Sequence, residues 1–180
     1  MLRGESPEYM KNGTYKIPDA RSTSPTSEQL EAYESGPQKI SDEIKNLTVS
    51  QVNYRPSSKE WNINQIIVHL ADTEMVFCER IRRNIAEEKP LLQSFDQEIW
   101  ASGLFYDKQD FRIALQLFKV QRKSTSRLLR LLTPVYWNKE GIREGNIYTI
   151  YDILLVALHH VISHISQIQK IKSDPHFPSR

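Results

Sequence analysis

The sequence predicts an all-α protein built as a four-helix bundle. Four long stretches carry apolar residues at spacings of three and four, which is the period of an amphipathic helix. Prolines or glycines stand near the ends of these stretches, and no stretch shows a convincing β-strand pattern. Because helices with one apolar face must bury that face, four of them favour a bundle.

The long helices are predicted one by one from their periodicity and their end signals. They cover residues 26–47, 62–88, 110–132 and 149–172, and a short helix is predicted over 95–104. Gly36–Pro37 should perturb the first helix, and the amide of Asn62 should cap the second. Gly141 and Gly145 predict a turn, with a hairpin as one option, before the last helix.

Length and composition favour one soluble domain. The chain has 180 residues, enough to enclose a single hydrophobic core. Residues 1–24 lack apolar periodicity and are interpreted as an extended arm, which leaves 25–180 as the bundle domain. No segment is long and apolar enough to span a bilayer, and no secretory signal is visible, so a cytoplasmic protein without membrane contact is expected.

Charge and cysteine content exclude several classes of protein. The net charge of +2 is too balanced for the positive field that nucleic-acid binding uses, so nucleic acid is the weakest alternative partner. The single cysteine, Cys78, excludes an internal disulfide and is interpreted as a small buried hydrophobe. Basic residues on the second and third long helices are interpreted as solvated faces. They are Arg80, Arg82, Arg83, Arg122, Lys123, Arg127 and Arg130.

Three histidines form a candidate metal site. His160 and His164 lie one turn apart on the last helix, with His164 in the apolar stripe and His160 on its flank, whereas His159 points away. His69, on the second long helix, could reach the same ion if the two helices pack together. Three imidazoles leave a coordination position open, as in catalytic sites, but a histidine satisfied by a hydrogen bond in the core is the alternative.

Four segments of the chain carry a family resemblance. They are residues 61–74, which place His69 eight residues after Trp61, then 95–101, 141–154, and 160–168 with its HxxxHxxQI pattern. Together they resemble the DinB-like proteins, a superfamily that also holds bacillithiol and mycothiol S-transferases. The resemblance covers about residues 25–172. It implies a bundle with a divalent metal, zinc or nickel, held by His69, His160 and His164.

Two residues depart from the family pattern. The family often has Ser or Thr directly after the tryptophan and Glu four residues after it, where this chain has Asn62 and Gln65. Asn62 can still cap the helix, whereas Gln65 cannot act as a base.

The expected function is that of a metal-dependent enzyme acting on a small-molecule substrate. The ion would activate a thiol or water, and the resemblance suggests transfer of a low-molecular-weight thiol cosubstrate to an electrophile. Amide or ester hydrolysis, and a non-catalytic metal-binding or scaffold role, are the alternatives. Gln167 and Asp72 are candidate catalytic helpers. Apolar residues outside the main stripe of the last helix predict a homodimer; they are Leu155, Leu158 and Ile162.

Overall fold

The computed structural model describes residues 24–179, so the predicted arm, apart from Ser24, lies outside the described part of the chain. The helices are α1 (Ser27–Ile44), α2 (Val49–Val52), α3 (Ile63–Ala86), α4 (Gln97–Gly103), α5 (Phe111–Leu129) and α6 (Ile150–Lys172). The strands are β1 (Glu140–Arg143) and β2 (Asn146–Thr149). The predicted four-helix bundle is confirmed, with α1, α3, α5 and α6 as its long helices.

Reciprocal capping fixes where most of these helices begin. In each case a side chain at the cap accepts the N–H of the third helical residue, whose own side chain accepts the cap N–H. The cap residues are Thr26 of α1, Thr48 of α2, Asn62 of α3 and Thr149 of α6. Sequence reasoning did not find α2, although the Thr48–Gln51 spacing carries this signal. Pro37 lies inside a continuous α1, so the expected perturbation leaves the helix unbroken.

The long helices do not pack in chain order. α1 packs against α5 and α6, and α3 packs against the same two helices. The helices α1 and α3 therefore lie across the bundle from one another, as do α5 and α6. The segments that connect these diagonal pairs must cross an end of the bundle, and they carry α2 and the β-hairpin.

The β-hairpin is the option that Gly141 and Gly145 left open, although neither strand was recognised from its sequence pattern. Residues Glu144 and Gly145 both have positive φ, 52° and 78°, as a two-residue type I′ turn requires, and Gly145 meets this requirement without steric penalty. Residues 90–92 add to the hairpin, because Leu92 donates to the carbonyl of Ile142 at 2.8 Å. The buried amide of Asn84 donates to the carbonyl of Tyr148 at 2.9 Å and joins the hairpin to α3.

Replacing Gly141 with alanine is expected to destabilise the protein by about 1–3 kcal/mol, the usual effect of overpacking. A Cβ there would lie 2.3 Å from Oδ1 of Asn84 and 2.8 Å from the side chain of Leu92, both buried. Urea unfolding measures the change. Gly103→Ala is the matched control, because no atom lies within 4 Å of the added methyl group. Equal stability of the two variants would contradict the tight approach of the hairpin to α3.

None of the helices within residues 24–179 combines the length and the apolar composition needed to cross a membrane.

Candidate metal centre

Two neighbouring helices bring the three predicted histidines together. His69 comes from α3, and His160 and His164 come from α6. The Nε2 atom of His160 lies 3.0 Å from Nε2 of His69 and 3.0 Å from Nε2 of His164. One ligand atom from each ring lies within 4.8 Å of the others, so all three can reach one point.

The burial of the triad differs in detail from the prediction. His69 and His160 are 2% and 6% exposed, whereas His164 is only partly buried. His160 was expected on the flank of the apolar stripe and His164 inside it, so that assignment is wrong. His160 is enclosed by the rings of His69 and Phe77 on α3, which pack edge-on against it, whereas His164 lies one turn later on α6.

Burial keeps the three imidazoles uncharged near neutral pH. It lowers the pKa of His69 to about 3, with a further contribution from His164. It lowers the pKa of His164 to about 4, although Gln167 opposes the shift. The pKa of His160 falls well below its usual range because of burial first, then because of the other two histidines and Arg122. Neutral imidazole is the form that binds a metal ion.

The arrangement of nitrogens fits a divalent cation. His164 Nδ1 lies 2.8 Å from Oε1 of Gln167, which can only accept, so Nδ1 carries the proton and Nε2 keeps its lone pair. His160 Nε2 cannot make a good hydrogen bond to both neighbouring Nε2 atoms, because it has either one proton or one lone pair. Ligand nitrogens about 2.0–2.1 Å from a tetrahedral ion lie roughly 3.3 Å apart, close to the observed 3.0 Å spacings.

Neighbouring side chains hold the rings in place. Gln167 positions His164 through the hydrogen bond just described, and its predicted catalytic role stays a prediction. The Thr73 hydroxyl lies 3.3 Å from Nδ1 and 3.4 Å from Nε2 of His69, at the ring edge between the two nitrogens. The ring of Trp61 packs edge-on against His69 with centroids 4.9 Å apart. These contacts order the triad before any ligand binds.

An open cleft leads to the triad. Its volume is about 220 Å³, and it contains His69 and His160. The β-hairpin contributes Arg143 and Glu144 to its wall, and the segment before α4 contributes another side. The remaining lining residues are Thr73, Phe77, Arg80, Ser94, Phe95, Gln97 and Val156. A three-histidine cluster at an open cleft has the form of a catalytic metal site.

A family model described as the DinB superfamily matches residues 32–168, which is most of the chain. The chain belongs to the DinB superfamily. The resemblance seen in the four sequence segments is therefore confirmed.

Relatives of this DinB-superfamily chain carry names that refer to a metal. A protein of Oceanobacillus iheyensis named "putative metal-dependent hydrolase" is 28% identical over 150 residues, which cover 81% of this chain and 87% of the relative. YfiT of Bacillus subtilis, with the same descriptive name, is 25% identical over 164 residues, 88% of this chain and 92% of YfiT.

The fold is shared with a solved structure. YfiT from Bacillus subtilis, whose four-helix bundle topology is described as unusual, matches with a TM-score of 0.79 at 23% identity, covering 88% of this chain and 91% of YfiT.

Asp72 lies apart from the cleft. Its carboxyl group is partly buried beside Tyr106, and burial raises its pKa. It is not among the described residues that line the cleft, so its catalytic role stays a prediction. Gln65 uses Oε1 to accept from the backbone of Asn62 at 3.1 Å and from Arg55 at 2.7 Å. In this DinB-superfamily chain that position therefore serves the helix start and not a proton transfer.

Two arginines assigned to solvated faces are buried instead. Arg80 is 4% exposed and lines the cleft, and Arg122 forms an ion pair with Glu74 inside the bundle. Sequence reasoning missed the cleft wall, namely Thr73, Arg80, Arg143 and Glu144. A helical count from His69 could have found two of them, because Thr73 and Arg80, four and eleven residues later, fall on the same face of α3.

Cys78 is half-buried and does not act as a free thiol at the site. Its sulfur lies 3.0 Å from the hydroxyl of Thr125, and burial together with Glu74 raises the pKa of the thiol. A raised pKa leaves little thiolate at neutral pH, which agrees with the interpretation of Cys78 as a packing residue.

Proposed function

We propose that the chain is a metal-dependent enzyme whose ion is held by His69, His160 and His164. The observation that carries this proposal is the convergence of three neutral imidazoles beside an open cleft. The names of its relatives, "putative metal-dependent hydrolase", support the same class of chemistry.

A divalent ion at such a site supplies Lewis-acid activation of a nucleophile at neutral pH. The protein's part is to keep the three imidazoles neutral by burial and to hold their orientation. Gln167 fixes the tautomer of His164, and Thr73 has its hydroxyl close enough to the triad to accept or donate a hydrogen bond there. Zinc and nickel are the proposed ions, since imidazole suits both.

The cleft favours catalysis over a purely structural ion. Structural zinc sites in proteins are closed by four side chains, whereas catalytic sites have three and an open position. Among the described residues, the group of metal-binding side chains at this point has three members. If the protein were a non-catalytic scaffold, the open cleft beside the triad would bind no substrate.

Two reactions are proposed for this site, hydrolysis and thiol transfer. Hydrolysis of an amide or ester is supported by the names of the relatives. Transfer of a low-molecular-weight thiol to an electrophile remains the second proposal, and because Cys78 is half-buried, the thiol would come from outside the chain. Incubating the metal-loaded protein with ester and electrophile substrates, with and without a small thiol, separates the reactions by the mass of the product.

Elemental analysis tests the metal site directly. Untagged protein is expected to contain about one zinc or nickel ion per chain, and His160→Ala is expected to lose most of it, because His160 lies between the other two nitrogens. His176→Ala is the control, since His176 is exposed near the C-terminus. An unchanged metal content in His160→Ala would contradict the assignment.

A homodimer and a cytoplasmic location remain proposals. Of the three apolar residues that suggested a dimer, Leu155 and Leu158 are half-buried, and Leu158 packs against the core. Ile162 is 57% exposed and still offers an apolar contact. Light scattering at micromolar concentration is expected to give twice the mass of the chain, and the mass of one chain would contradict the dimer.

A further inference from the structure

Two arginines share the cleft with the histidine triad. Arg80 extends from α3, about three turns after His69, and is 4% exposed. Arg143 comes from the end of β1 and is partly buried. Both line the cleft that contains His69 and His160. The helix α3, which carries His69, therefore directs one cationic side chain into the cleft, and the β-hairpin directs the other.

The hydrogen-bonding capacity of both guanidinium groups is only partly used. Arg80 donates through Nη2 to the carbonyl of Gln93, and Arg143 donates through Nη2 to the hydroxyl of Tyr148 at 2.8 Å. These acceptors are neutral. The Nε atom of each arginine is buried and has no hydrogen-bond partner among residues 24–179. A guanidinium has five N–H groups, and unsatisfied buried donors are uncommon in folded proteins.

The positive charge of the pair is poorly compensated. Burial first, and then repulsion from Arg143, lower the pKa of Arg80 to about 10. Glu79, Tyr148 and Glu144 oppose this shift, but both carboxyl groups are exposed, although Glu144 also lines the cleft. Two cations that face one cleft without a buried carboxylate between them favour the binding of an anion.

We propose that Arg80 and Arg143 bind an oxyanion group of the substrate, a carboxylate or a phosphoryl group. The planar guanidinium fork matches both groups, and hydrogen bonds to the two Nε atoms would satisfy them. A cleft of about 220 Å³ limits the ligand to a small molecule. The statement that this molecule is the substrate rests on the proposed function, because the anion would place the rest of the ligand beside His69 and His160.

Anion binding to variants of Arg143 tests the proposal. Arg143 is chosen because it lies on the hairpin and is only partly buried, whereas Arg80 is buried on α3, where a substitution would disturb packing more. Inorganic phosphate and acetate are titrated separately into the purified, metal-loaded protein at low ionic strength, with calorimetric detection. Arg143→Met is expected to weaken binding of the preferred anion at least tenfold, and Arg143→Lys to weaken it less. Arg112→Met, which removes an exposed arginine outside the cleft lining, is expected to bind like the wild type.

Comparison of the two probes identifies the group, because tighter acetate binding indicates a carboxylate and tighter phosphate binding a phosphoryl group. Equal affinity of the wild type and Arg143→Met for both anions would overturn the proposal, and so would the absence of binding to the wild type at millimolar concentration. Circular dichroism confirms that each variant is folded, and Arg143→Lys serves if Arg143→Met is not. A failure of metal binding would overturn the proposed function, and because the variants share all three histidines, the same titrations of the metal-free proteins would still test the arginine pair.

Discussion

Replacing Arg122 with methionine is expected to lower the free energy of unfolding by about 3–5 kcal/mol, the range for breaking a buried ion pair. Arg122 Nε lies 2.6 Å from a carboxylate oxygen of Glu74, and each side chain is 1% exposed. Arg122 also donates to the carbonyls of Tyr33, at 2.9 Å, and Ala157, at 3.0 Å. Its loss would leave a buried carboxylate without its cation and would remove the side-chain donor from both carbonyls.

A second ion pair provides the control. Arg130 and Glu34 lie 3.0 Å apart, but both are 42% exposed, so Arg130→Met is expected to change stability by only about 0–1 kcal/mol. Urea unfolding of both variants gives the comparison. The double variant Glu74→Gln, Arg122→Met is expected to be more stable than Arg122→Met, because it removes the unpaired charge. Similar small effects at Arg122 and Arg130 would contradict the view that the buried pair is structurally important.

The buried Arg122–Glu74 pair joins all four long helices. Tyr33 of α1 donates its hydroxyl to Glu74 of α3, and Arg122 of α5 reaches Ala157 of α6. Ala157 lies one turn before His160, and Arg122 contributes to the lowered pKa of that histidine. The network therefore packs directly against the candidate metal centre and fixes α3 relative to α6.

The metal-free protein is expected to lose stability as the pH falls from about 6.5 towards 4.5. The pKa values of His69 and His164, about 3 and about 4 in the folded protein, lie below the unfolded value of 6.5. Between those values the unfolded chain binds more protons than the folded one, so the free energy of unfolding falls with pH. The contribution of these histidines to the free energy of unfolding is complete above pH 6.5. Below that pH it falls by up to about 1.4 kcal/mol per pH unit for each histidine.

This pH window separates the histidines from the carboxyl groups whose pKa is lowered in the folded protein. Hydrogen bonds lower the pKa of Glu43 and Asp174 in the folded protein, so their contribution to stability is lost only below the ordinary carboxyl range. Urea unfolding at a series of pH values, after treatment with a chelator, measures the slope. His176→Ala is expected to keep the wild-type slope, because it leaves the triad intact. A stability independent of pH between 4.5 and 6.5 would contradict the presence of three imidazoles held neutral in the folded protein.

Adding zinc or nickel back to the metal-free protein should change the dependence of its stability on pH. Zinc or nickel at about a thousand times its dissociation constant is expected to add about 4 kcal/mol to the free energy of unfolding. Because His69 and His164 have low pKa values in the folded chain, protons should compete with the ion only near pH 4, well below the ordinary histidine range. Calorimetric metal titrations at pH 7, 5.5 and 4 measure this competition.

The sequence predicted the helices well because local signals determine them. Apolar periodicity placed the four long helices, and the cap at Asn62 lies at the predicted start of α3. The triad followed from the turn spacing of His160 and His164 and from the family resemblance for His69. The cleft could not be predicted, because Arg143 reaches it only through the packing of the hairpin against α3. Arg80 and Arg122 were misassigned because a helical face shows its charge but not which helix covers it.

The diagonal order of the helices places the histidine triad and the outer wall of the cleft in different parts of the chain. The three imidazoles belong to α3 and α6, whose packing is part of the core. The outer wall of the cleft belongs to the segments between long helices, including the hairpin that crosses from α5 to α6. Changes of length or sequence in those crossings can therefore alter which molecules enter while the ion ligands stay in place, so reactivity and selectivity can evolve independently within one bundle.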